Sequence, residues 1–168
     1  MTFTAPFAVG CIAWLIWRYM HRREAEKTYD EMQQKIRADG YRLGYLTLLG
    51  LAILIAFTGE WGPMRFVSPS FALLTAVMLS ITLFVMHCIR HDAFFALDQN
   101  RRGYTALLAV IVALNGAAAV RLIAGGRLTE GGVVTIESGA NLLMAVMFLS
   151  ILIALALRRR GDDAEDAE

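Results

Sequence analysis

Four apolar runs, residues 41–58, 70–89, 104–124 and 139–157, constrain this chain more than any other feature, because each approaches the length of a membrane-crossing helix. A hydrocarbon core about 30 Å thick takes about 20 helical residues, and a soluble domain would interrupt its apolar residues more often. With 57% of 168 residues hydrophobic and gathered in blocks, the runs predict an all-α, polytopic transmembrane helical bundle. A shorter run at residues 3–20 contains Pro6 and is read as a fifth, N-terminal span. Signal peptide and interfacial helix are its rival readings. Its charge order favours an anchor, since no Lys or Arg precedes Arg18, whereas Arg22, Arg23 and Lys27 follow.

The cations then orient the spans. Of sixteen Lys and Arg, all but Arg65, Arg121 and Arg127 fall on one side of the five-span reading. Arg or Lys at a bilayer centre costs about 2.5–3.5 kcal/mol on insertion scales, and short cationic loops are retained in the cytoplasm. The expected location is therefore the bacterial plasma membrane, with the N-terminus outside and the C-terminus cytoplasmic. If residues 3–20 lay on the inner surface instead, the other four spans would keep their orientation. Arg outnumbers Lys fourteen to two, which reads as coding bias. These residues border spans rather than forming a basic soluble face, so no nucleic-acid partner is expected. Cys11 and Cys88 fall at different depths, which speaks against a disulfide between them.

Between the first two spans, residues 21–39 are polar and free of Gly and Pro, and predict a cytoplasmic amphipathic helix. Ala25, Tyr29, Met32 and Ile36 share one stripe of it. That stripe packs on the membrane surface, on the bundle itself or on a partner helix. Residues 59–69 and 125–137 read as turns, and residues 90–103, with Phe94, Phe95 and Leu97, as a short helix at the headgroups. Residues 161–168 are acidic, lack large apolar side chains, and predict a disordered tail.

Few groups suggest chemistry. The central parts of the spans hold no Asp, Glu or Lys, which weighs against proton-coupled carriers. Asn115 and Asn141 stand beside small residues, where an amide is expected to bond between helices or to line a solute path. Gly40 and Gly44 form a GxxxG that is read as close packing within the chain ahead of dimerisation. Arg121 reads as a boundary anchor. His87, Cys88, His91 and Asp92 are the sharpest chemical candidate, because a continuing helix would set His87 and His91 one turn apart, as a shared metal or a haem requires. No HExxH motif accompanies them and no further ligand is fixed, so a polar boundary is the plainer reading and no cofactor is expected.

From residue 29 to residue 45 the sequence YDEMQQKIRADGYRLGY resembles the entry to a group of small membrane proteins of gut and soil Gram-positive bacteria. In that group an Asp-Glu-Arg-Gln-like element precedes a basic, glycine- and aromatic-containing start of a four-span bundle. Asp30, Glu31 and Gln33 match in type, and Arg37, Gly40, Tyr41, Gly44 and Tyr45 follow. Met32 stands where that group usually has Arg, and the segment before Met20 is atypical. The resemblance implies a four-span bundle and carries over no catalytic residue.

By exclusion, the expected function is non-enzymatic. The chain reads as an accessory, regulatory or structural subunit that contacts a membrane or cytoplasmic protein, or a second copy of itself, with Tyr29, Met32, Ile36, Asn115 and Asn141 as interaction candidates. A small transporter or channel is the alternative. A metal- or haem-binding redox protein resting on His87 and His91 is the second alternative.

Overall fold

The computed structural model describes residues 29–60, 66–95 and 101–165. They form helices α1 (Glu31–Glu60), α2 (Pro69–Arg90), α3 (Arg101–Ala124) and α4 (Ile136–Glu165), with no strands among the described residues. All four helices are long and apolar enough to cross a membrane.

Local chemistry starts three of them. The Asp30 carboxylate accepts from the Gln33 amide at 2.6 Å and opens α1. Ser68 accepts from the Phe71 amide at 3.2 Å, and Pro69, which has no amide hydrogen to leave unpaired, takes the first position of α2. Thr135 and Ser138 cap α4 reciprocally: the Thr135 amide donates to Ser138 Oγ at 3.0 Å, and the Ser138 amide donates back to Thr135 Oγ1 at 3.4 Å.

The helices stand in a row, in the order α1, α2, α4, α3. Close backbone approaches join α1 to α2, α2 to α4 and α4 to α3, and no others among the described helices. By close backbone approach each outer helix therefore has a single neighbour, and among the described helices the row does not close into a four-cornered bundle. Short connections make α1 and α2 antiparallel, and likewise α3 and α4, which leaves α2 and α4 parallel at the centre. An apolar core cluster built on Ile89, Leu108 and Ile151 lies where α2, α3 and α4 meet. The outer faces are apolar as well: Leu46, Leu54 and Phe57 on α1 and Leu107, Leu114 and Val120 on α3 are all exposed. Such faces are unfavourable in water and matched to hydrocarbon.

At the end away from the arginine-rich turns, α2 and α4 are fastened through backbone. The Val134 amide donates to Phe66 O at 2.8 Å and the Ser68 amide donates to Val134 O at 2.9 Å, forming an isolated parallel bridge between Val67 and Val134. Beside it Gly139 is so close to Phe71 and Val134 that a Cβ would lie within 2.7 Å of both. The tight turn from Glu130 to Val133 uses Gly131 and Gly132 at φ 60° and 84°, values glycine adopts at little cost.

Two boundaries differ from the sequence expectation. Within the described residues, the polar segment ending at residue 39 is no separate helix, because α1 runs unbroken from Glu31 through Gly40 to Glu60. Gly40 is there for close approach: a Cβ on it would meet the Phe84 and His87 rings of α2 at 3.0 and 3.2 Å. Residues 161–165 continue α4 instead of forming an irregular tail. A single Gly161 costs about 1 kcal/mol relative to Ala and does not by itself end a helix. The expected span at 3–20 and residues 21–28 of the polar segment lie outside the described residues.

Candidate functional site at the arginine-rich end

The site is built on the way α2 ends. The Ala93 amide donates to Cys88 O at 2.8 Å and the Asp92 amide donates to Ile89 O at 3.3 Å. This pair of bonds defines a Schellman cap, which needs a left-handed residue at its turning point. That residue is Asp92, at φ 56°, and it is the one non-glycine residue with positive φ among those described. Asp tolerates this conformation better than most residues, yet still at a cost. Beneath the turn Cys88 and Ala93 are fully buried.

Three helices converge on this strained turn. From α4, Arg158 grips the Asp92 carboxylate bidentately, Nε reaching Oδ1 at 3.1 Å and Nη2 reaching Oδ2. From α1, Gln33 Nε2 donates to Asp92 O at 2.9 Å and Arg37 Nη1 donates to Ala93 O at 3.1 Å. Arg37 also lies over the Tyr29 ring, 4.3 Å from its centroid, and over Phe84 at 5.7 Å. The turn is thus held by two guanidinium groups and an amide, a favourable arrangement for the carbonyls that end a helix. Gln33 Oε1 is buried with no hydrogen-bond partner among the described residues.

Beside the turn opens a cleft of about 880 Å³, bounded by the final turns of α2 and α4 and the first turns of α3. Among the described residues, Arg101, Arg102 and Arg158 line it together with one carboxylate, that of Asp92. Phe94, Phe95 and Tyr104 form an edge-to-face aromatic group at its side, with centroids 4.8 to 5.9 Å apart. Arg101 lies 5.6 Å from the Phe95 centroid.

The residues singled out in the sequence fall in different places. Met32 projects outward, 69% exposed, whereas Tyr29 lies half-buried under Arg37 and Ile36 is half-buried. The stripe of α1 that meets α2 is the neighbouring one, Gln33, Arg37, Gly40 and Gly44. Ser80 Oγ donates to Gly44 O at 2.8 Å, so the GxxxG packs within the chain. His87 and His91 stand with ring centroids 4.8 Å apart, and no group of three potential metal ligands occurs among the described residues. Asn115 donates to Ile111 O of its own helix at 2.9 Å. Asn141 is half-buried near the start of α4. The turn after α2 replaces the short headgroup helix expected there, as far as residue 95; residues 96–100 lie outside the described residues.

Sequence reading missed the gathering of Gln33, Arg37, Asp92 and Arg158. Three of them had registered only as polar or cationic positions, and the one available signal was a helix-ending aspartate where glycine is usual. No family model, no curated protein and no solved structure matches the chain.

Proposed function

We propose that this protein is a non-enzymatic, multi-pass subunit of a bacterial plasma membrane, acting by contact with another protein and oriented with its arginine-rich end in the cytoplasm. The observation that carries the reading is the open helix row. α1 and α3 each use one flank within the chain and leave the other, with exposed Leu46, Leu54 and Phe57 on α1 and Leu107, Leu114 and Val120 on α3, unmatched by any described helix. At the cytoplasmic end of α1 the free flank includes Met32, a flexible and polarisable side chain suited to a partner's surface. A four-span bundle is also what the resemblance over residues 29–45 implies. The partner is a membrane protein that lays a helix along α1. Charge also supports the orientation, since Lys35, Arg37, Arg42, Arg90, Arg101, Arg102 and Arg158 all belong to one end.

Purification of the full chain in mild detergent, followed by mass spectrometry of what stays bound, tests this reading. Met32→Asp is expected to release the co-purifying membrane protein while leaving helicity unchanged, since Met32 contributes little to the fold. An intact complex in that variant, or a chain that purifies with no stoichiometric protein, overturns it.

A further inference from the structure

We infer that the cleft at the arginine-rich end is a binding site for an anionic glycerophospholipid drawn from the adjacent leaflet. The inference does not depend on a protein partner, because the cleft lies across the row from Met32, beside α3 and α4.

Two properties of the cleft point to the same ligand. Its rim is cationic: among the described residues that line it, three guanidinium groups face one carboxylate. Asp92 engages Arg158 and fixes it in the wall, while Arg101 and Arg102 stand on the exposed first turn of α3. The positive end of the α3 dipole lies at that same turn. Phosphate is the anion such a rim receives best.

Below the rim the lining turns apolar. Along α3 the cleft descends from Arg102 through Ala106 to Ala109, about 10 Å along the helix axis. Leu152 and Leu155 of α4 face it from the other side. The small side chains of Ala106 and Ala109 on α3 leave room between the helices. A soluble phosphate would satisfy the rim and leave this apolar channel empty. A molecule with a phosphodiester head and an acyl chain fills both, and the volume lies within the usual range for a ligand site.

The test is native mass spectrometry of the full-length protein equilibrated in mixed micelles of equal phosphatidylglycerol and phosphatidylcholine. Wild type is expected to retain phosphatidylglycerol selectively. Combined Arg101→Gln and Arg102→Gln should lower that selectivity by about thirtyfold, the value of two surface arginines toward an anionic lipid. Ala109→Trp fills the channel and should lower retention with the rim intact, so it decides the matter even if the double variant misfolds. Arg42→Gln, at the same end but on α1, should change nothing. Equal retention of both lipids, or an equal loss in Arg42→Gln, overturns the site in favour of general attraction to the surface. Displacement by inorganic phosphate at constant ionic strength overturns the lipid assignment in favour of a soluble anion.

Discussion

Helices α2 and α3 end in the same hydrogen-bond pattern, yet opposite ends of the molecule fill its left-handed position differently. At the end of α3, the Arg127 amide donates to Leu122 O at 2.9 Å, the Gly126 amide donates to Ile123 O at 3.0 Å, and Gly126 takes φ 66°. This cap is self-sufficient. At the end of α2 the equivalent residue is Asp92, and side chains from α1 and α4 gather on the turn. An L-residue held at positive φ with a buried, unpartnered amide oxygen nearby is an arrangement that costs free energy and persists because its surroundings fix it. One turn only reverses the chain, and the other also builds a surface.

The same contrast holds for the fastening of α2 to α4. Away from the arginines the two helices are joined by backbone and by close packing at Gly139, and near the arginines by an ion pair that is about half exposed. The largest expected effect is therefore at Gly139. Gly139→Val forces atoms into the Phe71 ring and should destabilise by about 3 kcal/mol, read as a shift in reversible unfolding followed by circular dichroism in detergent. A loss below about 1 kcal/mol would mean that the packing there yields easily.

Exchanging the two cap residues sharpens the comparison. Gly126→Asp has open space for its side chain but takes the left-handed conformation, so it should lose about 1 kcal/mol from backbone strain. Asp92→Gly should change stability by less than about 0.5 kcal/mol, since relief of the backbone offsets the loss of a partly exposed ion pair. If Asp92→Gly instead destabilises by more than Gly126→Asp, the ion pair dominates that end, and the view of Asp92 as retained for its surface would fall.

Much of the architecture was legible because it is encoded locally. Apolar length marked four helices, and the Gly- and Pro-punctuated stretches 59–69 and 125–137 marked the turns, whereas the Ser68 cap before Pro69 emerged only in the structure. Gly40 and Gly44 signalled close packing, although their partner, Ser80 with Phe84, is a tertiary fact. What stayed hidden depends on which helix stands beside which. Arg37 and Arg158 registered in the sequence as topological charges, and the Met32 stripe drew notice on periodicity. Periodicity locates a face but does not assign its neighbour: α1 turns Gln33, Arg37 and Gly40 inward and leaves Met32 outside. The cleft was equally invisible, since its walls come from three helices far apart in the chain.

The linear order of the helices has a mechanical consequence. Because no close backbone approach joins α1 to α3 among the described helices, a displacement of one flank reaches the other through α2 and its seam with α4, where Ile89, Leu108 and Ile151 cluster. That seam is held by the Val67–Val134 bridge at one end and by the partly exposed pair of Asp92 with Arg158 at the other. A tilt of α1 transmitted through Gln33 and Arg37 would therefore register first at Asp92, on the wall of the cleft.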